Sequence, residues 1–566
     1  MTSTGHTSTF FPLSLLQFLA YTSRPILFYW VFFLIHSALT FPKKDIRPTP
    51  LRCALLLLHT WPVFVLQYAS KTASAHKDPR LVFFVTLLFF RYYKIIVLAV
   101  FWCLYHPGVT KAENPHKGNE GKRGSTAEKC TVIVATVGPV EGKLGHDSFR
   151  KMVCGILSNH PRRLIFSTST KAAAQAVQAI LPEILSGLPN PSPSSQPPPT
   201  LPETKPTKKS PEITYTTTYG STEILVLNAK KTNKREQAIS TLPYIETQII
   251  ASADDSVIWP ATFLNATLPA FADPYVSLVG TRKWVTRRTY AWDYSLSYFQ
   301  NACRKYMHGF WNTVGALYLV RQNFELRGSN TADGGVFCVS GRTYLIRKRM
   351  LADPDFQAGF LNESVYGLGS WSEKLGPLIA DDDNFVTRWA ITHGHRIKMI
   401  MSDEATITTS LGVYPKFVQQ CCRWSRTTIR QNPVALFADH AIWWVWPVSV
   451  WTTYIPWLFN PALFWDPFMV YSLMQTKLYK ESERKGAMLA CFIACVWASK
   501  LLKTIPWWRV HRRDFLLYFF PIPAAPLFSY VHSLIKFYTW ATVHDISWSG
   551  RKLEENSKDL EKPNTM

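Results

Sequence analysis

The sequence predicts an α/β domain inserted between two groups of membrane-spanning helices, on three observations. Long apolar stretches lie towards both ends of the 566-residue chain. Between them, short β-rich runs alternate with helix-compatible stretches, the pattern of a sheet covered by helices. Acidic clusters fall where strands end or helices begin, the positions at which open α/β sheets bind ligands. The length exceeds that of one ordinary domain.

The first region, residues 1–106, carries candidate spans at 25–40, 55–68 and 81–105, set against the ~20 residues needed to cross a hydrocarbon core. The second is short for a crossing. Arg91 and Lys94 interrupt the third, which predicts a short span followed by an interfacial helix. Residues 1–9 contain no basic stretch, so no cleaved leader is expected. Lys43, Lys44, Arg47 and Arg52 follow the first span and the central region is rich in Lys and Arg, which places both on the cytoplasmic side and the amino terminus outside. Asn265 and Asn362 match the glycosylation acceptor pattern but lie on the side away from the lumenal machinery.

Residues 107–433 read as the α/β domain. Strands are expected at 130–137, 163–167, 223–228 and 247–253, with a helix at 171–184, favouring a mainly parallel sheet. Residues 111–127, rich in Lys and Gly, and 188–211, rich in Pro and Ser, are expected to be exposed loops. Residues 434–543 hold four further candidate spans at 435–459, 461–474, 487–502 and 515–542, with basic loops at 477–485 and 509–513, and 544–566 form a cytoplasmic tail.

The formal net charge is +24, yet the basic residues are spread through loops beside apolar segments instead of forming one block. That argues against nucleic acid and fits retention at an anionic leaflet. The 21 Trp cluster with the apolar runs, as interfacial belts do. The 10 Cys show no CxxC spacing, and reduced thiols are expected.

Three motifs carry chemistry. Asp254 and Asp255 end the strand at 247–253, where hard oxygen ligands can hold Mg2+ or Mn2+ against a diphosphate; the same residues also suit a turn or a helix cap. Asp381, Asp382 and Asp383 precede a helix, where they complement its dipole, or where crowding lets one carboxylate act as a base. Gln420, Arg423 and Trp424, at i, i+3 and i+4, share one helix face. Arg423 suits phosphate oxygens and Trp424 a sugar face, although an interfacial amphipathic helix reads the same way.

In this order and spacing, the motifs resemble those of the inverting, processive membrane glycosyltransferases of family 2, the group of hyaluronan, chitin and cellulose synthases, and most of all the fungal type 2 glycosyltransferases. The resemblance covers about residues 130–551. It implies a cytosolic Rossmann-like GT-A domain, with Thr136 on the strand that meets the uridine, Lys234 and Arg235 near the diphosphate, Asp254 at the nucleotide and Asp255 as metal ligand. It further implies Ser340 and Gly341 at the acceptor sugar, Asp382 as base, Gln420, Arg423 and Trp424 on the helix at the channel mouth, and Trp548 and Arg551 as a variant tail motif. Two departures stand out. Ser167-Thr-Ser-Thr170 replaces an Asp-Asp-Gly-Ser element, and Arg342 and Asp383 occupy positions where Pro and Arg are usual. The implied partners are a UDP-sugar donor, a growing polysaccharide and the lipid bilayer. The implied location is multi-pass in the plasma membrane with the catalytic domain cytoplasmic. A transferase adding one sugar to a lipid or protein, and an inactive scaffold of the same fold, are the alternatives. A transporter gives no reason for an α/β insertion of this size with carboxylates at strand ends.

Overall fold

The computed structural model describes residues 11–40, 59–106, 129–139, 145–189, 211–231, 233–366, 374–378, 381–519 and 524–546. Trp548, Arg551 and most of both expected loops lie outside the described residues. The chain divides into two compact units. One comprises Met1–Tyr105, Val320–Phe337 and Asn432–Phe537; the other comprises His106–Leu319, Cys338–Gln431 and Tyr538–Met566.

The second unit is built on strands β1 (Cys130–Thr136), β2 (Arg163–Thr168), β3 (Glu212–Tyr219), β4 (Thr222–Asn228), β5 (Ile249–Asp254), β6 (Val257–Ile258), β7 (Val276–Thr281), β8 (Lys283–Val285), β9 (Thr343–Arg347), β10 (Val365–Tyr366), β11 (Lys374–Leu375), β12 (Arg396–Ile400) and β13 (Ile407–Thr409). Eight of them form one sheet in the order β12-β7-β9-β5-β1-β2-β4-β3. β1 runs parallel to β2 and β5, and β2 to β4, while β9 lies antiparallel between β5 and β7 and β3 folds back on β4. The sheet is therefore mixed. β1, β2 and β4 are buried at every residue, which explains their nearly unbroken Val, Ile and Leu runs. The helix Lys171–Ser186 presents Ala174, Val177, Leu181 and Ile184 to the core at helical spacing. Thr170 caps that helix by accepting the Ala173 N–H at 3.2 Å, and the Ser167 hydroxyl donates to the Gln237 carbonyl at 3.0 Å. Two residues of the departing Ser-Thr-Ser-Thr element thus have structural partners.

In the first unit, Ser14–His36, Pro79–Cys103 and Lys485–Leu502 are long and apolar enough to cross a membrane. Three expectations need correction. Pro79–Cys103 is one unbroken helix, because Arg91 does not face hydrocarbon but pairs with Asp466 at 3.0 Å. Residues 435–459 do not form one span: wide turns at Val434–Ala438 and Val450–Tyr454 flank the short helices Ile442–Val445 and Pro447–Ser449. Pro447 and Pro456 lack the donors that a continuous helix requires. The stretch at 515–542 likewise falls into two helices, Arg512–Tyr518 and Ala524–Ala541.

One ion pair fastens the sheet. Arg163 stands opposite Glu223 in the β2/β4 register, and its Nε donates to Oε2 at 2.5 Å with both side chains almost wholly buried. Arg163→Met leaves the Glu223 carboxylate without that partner and is expected to cost about 3–5 kcal/mol. The melting temperature of purified protein should fall accordingly, and Arg163→Met with Glu223→Leu should recover most of the loss.

Candidate functional site

β1 and β5 are parallel neighbours, with Ala135 opposite Asp254, so their carboxyl ends deliver Thr136 and the Asp254-Asp255 pair side by side. The Thr136 hydroxyl donates to Asp255 Oδ2 at 2.9 Å and accepts the Gly138 N–H at 3.0 Å. Gly138 has φ +89°, and a Cβ there would lie 3.1 Å from the Ala173 backbone, so the turn after β1 requires glycine. β9, antiparallel to β5, brings the segment at 340–342 across the same end: the Asp254 N–H donates to the Arg342 carbonyl at 2.8 Å.

Lys234 joins these pieces. It opens the helix Lys234–Ser240, capped by Asn233, and its buried Nζ donates to Asp254 Oδ1 at 2.8 Å and to the Gly341 carbonyl at 2.7 Å. Asp382 Oδ2 lies 3.4 Å from the same nitrogen. Burial alone would lower the proton affinity of this amine, but Asp254 and Asp382 outweigh it, so Lys234 is held well above the ordinary lysine range and remains an ammonium.

The three carboxylates that precede the helix through residue 392 have separate partners. Asp381 adopts a left-handed conformation, φ +69°, and accepts from Thr427 and from Arg430 at 3.0 Å, with both ionic side chains buried. Asp383 Oδ2 accepts the Gly341 N–H at 2.9 Å. Its surroundings and the adjacent Asp382 raise its proton affinity. A Cβ at Gly341 would stand 3.1 Å from Asp383 Oδ2, so a side chain there would press on this contact. Asp382 faces Lys234.

The helix Lys416–Pro433 carries the third motif. Gln420 Oε1 accepts the Gly412 N–H at 3.1 Å, fixing the loop before the helix. Trp424 stacks on Tyr318 with ring centroids 5.5 Å apart, and the Arg342 guanidinium lies over the indole ring, 5.3 Å from its centroid. Arg342 is also within electrostatic reach of Asp254, Arg423 and Asp383. Arg342, which stands where Pro is usual, thus links the segment at 340–342 to the helix that carries Gln420 and Trp424. Ser340 is buried in this segment, its hydroxyl accepting the Arg342 N–H at 3.4 Å.

Arg235 has other partners. Expected near a diphosphate, it is fully buried, donating to the Phe360 carbonyl and to Glu363, each at 2.7 Å, with its guanidinium against the Phe360 ring. The enclosed cation anchors its helix to the Phe360–Glu363 segment. Its partner Glu363, 128 residues away, left no local signal in the sequence. Lys283 was missed for the same reason: it is buried on β8, and its amine is pushed down to about 8, first by burial and then by Arg342. Cys338 lies in the same neighbourhood, its thiol pushed up by burial and by Asp383.

Residues 215–427 match the model described as Glycosyltransferase like family 2. The chain thus carries a domain similar to that family, built on a mixed α/β sheet. A type 2 glycosyltransferase of Pyricularia oryzae is 29% identical over 512 residues, covering 89% of this chain and 88% of that protein. A type 2 glycosyltransferase of Zymoseptoria tritici is 32% identical over 346 residues, covering 60% of this chain and 66% of its own length. A mannosyltransferase from Pyrobaculum calidifontis, solved with GDP-Man and Mn2+, aligns over 72% of this chain and 96% of its own at 12% identity; its TM-score of 0.32 is too low to bear on ligands or mechanism.

The separate partners of the aspartates make a stability prediction. Asp381→Asn keeps a residue that tolerates φ +69° but leaves Arg430 without its buried counter-charge, so it should cost about 3 kcal/mol. Asp382→Asn, on a half-buried side chain, should change the melting temperature little. Thermal unfolding of the two variants in parallel checks the contrast.

Proposed function

We propose that this protein is a membrane-embedded inverting glycosyltransferase that uses a UDP-sugar to extend, and export, a polysaccharide. The observation that carries the reading is the convergence of Asp254, Asp382 and the Gly341 carbonyl on one buried ammonium, Lys234, at the carboxyl end of β5, within a family 2 domain. The three apolar helices of the other unit support the membrane setting.

Asp382 is assigned as base by position. Each of the three aspartates has a partner, but Asp382 is the one that faces the cluster at Lys234 beside Asp254, where it serves an acceptor hydroxyl, taking its proton as the hydroxyl attacks the anomeric carbon. Inversion in one displacement needs no covalent intermediate. The Gly341 backbone, gripped from two sides by Lys234 and Asp383, gives the acceptor a fixed wall. Arg342 and Arg423 supply positive charge for the departing UDP. Asp255, oriented by Thr136, is the carboxylate for Mg2+ or Mn2+. Among the described residues no three His, Cys, Asp or Glu side chains gather as a metal cage, which fits an ion completed by donor phosphates and water. Such an ion would neutralise charge on the diphosphate.

Asp382→Asn should lower sugar transfer by at least ~100-fold while UDP binding stays near that of the parent. Near-normal turnover in this variant, with Asp383→Asn dead, would move the base to Asp383. Labelled UDP-sugars and purified protein give the rate, and product length distinguishes polymer from single-sugar transfer.

Asp255→Ala should remove the Mn2+ dependence of UDP binding in calorimetric titrations with and without the ion. Equal UDP affinity of the parent protein in both conditions would take the metal out of the scheme.

A further inference from the structure

Trp424 suits a sugar face, yet part of that face is already taken. Tyr318 stacks on the indole and the Arg342 guanidinium lies over it, so a sugar that stacks on Trp424 competes for the same surface. The two covers are held differently. Tyr318 stands within the long helix Tyr298–Asp333. The Arg342 guanidinium makes no hydrogen bond and no ion pair among the described residues; the indole holds it, with the charges of Asp254 and Asp383 at longer range. Arg235, Arg388 and Arg430, by comparison, are each tied to a buried carboxylate.

The backbone of Arg342 is fixed where its side chain is not. Its carbonyl accepts the Asp254 N–H at 2.8 Å, and its N–H donates to the Ser340 hydroxyl at 3.4 Å. The preceding residue, Gly341, is held through its carbonyl by Lys234 and through its N–H by Asp383. Residue 342 is therefore a half-buried pivot, with its backbone against the Asp254-Asp255 strand end and its side chain on Trp424. Rotation about side-chain bonds alone moves the charge from one to the other. A diphosphate at Asp255 offers the planar guanidinium paired oxygen acceptors, a stronger partner than an indole face.

We propose that Arg342 is a donor-operated cap on Trp424: with the donor site empty it lies on the indole and keeps an acceptor sugar off, and when a nucleoside diphosphate binds at Asp255 it swings to the phosphates and frees the ring. The nucleotide shifts the balance between the two positions by what its contact with Arg342 is worth. Acceptor stacking is thereby tied to an occupied donor site. The inference rests on the roles given above to Asp255 and Trp424, and adds an order of events to them.

The test follows Trp424 itself. Full-length protein in detergent receives a brief pulse of hydroxyl radicals, oxidation of peptides carrying Trp424 is measured by mass spectrometry, and UDP binding is followed by calorimetry on the same preparation. In the parent protein, UDP with Mn2+ should raise the oxidation rate of Trp424 severalfold. Arg342→Gln should show the raised rate without UDP and no further rise with it, and should bind UDP about tenfold more weakly, the loss of one charge-assisted contact. Arg342→Lys should separate the two roles, with near-parent UDP affinity but Trp424 already exposed, since an ammonium keeps the charge and loses the flat stack. UDP bound to the parent with Trp424 oxidation unchanged or reduced would overturn the cap alone, and this arm needs no variant to fold. An Arg342→Gln protein whose Trp424 reacts no faster than the parent's would also overturn it. Absence of UDP binding to the parent would overturn the donor reading and the cap with it.

Discussion

Lys234 occupies a position where an uncompensated charge could not stay. Its amine is buried, and it remains charged because two carboxylates and a backbone carbonyl from distant parts of the chain come to meet it. The end of β5, the turn before β9 and the helix start at Asp382 are thereby drawn to one point. Each of those segments would otherwise end in a loop with its own freedom, and the two carboxylates would repel each other across the cleft. The ammonium replaces that repulsion with a shared anchor, so the geometry of this cluster and the local fold stand on the same contact.

The acidic triplet shows why its function was only half legible from sequence. Capping and catalysis looked like competing accounts of one motif. The structure shows three different contacts: Asp381 holds the helix start to Arg430, Asp383 holds the backbone of Gly341, and Asp382 looks towards Lys234. Three adjacent residues at a helix start point in different directions, and no periodicity reveals which is which. The strands at β1, β2, β4 and β5 were legible because burial on both faces demands continuous apolar runs. β3 was not, because an exposed edge strand of Thr and Tyr carries no such run.

Long-range pairing accounts for the other differences. Arg91 read as a break in an apolar helix because its counter-charge lies 375 residues away. Arg235 read as a ligand for phosphate because Glu363 could not be foreseen. Arg342 looked like a defect in a motif, yet its side chain lies over Trp424 and its carbonyl holds Asp254. In each case the residue type was informative and the partner was not, since ion pairs between distant segments leave no spacing in the sequence.

The left-handed backbone at Asp381 has an evolutionary consequence. On conformational grounds position 381 is open mainly to Gly, Asn and Asp. On electrostatic grounds the first two strand Arg430 in the interior. Drift at either site alone is therefore penalised, and the pair should vary jointly across descendants of this fold: an uncharged residue at 381 would be tolerated where 430 has also given up its charge, and Asp381 and Asp383 would follow different histories.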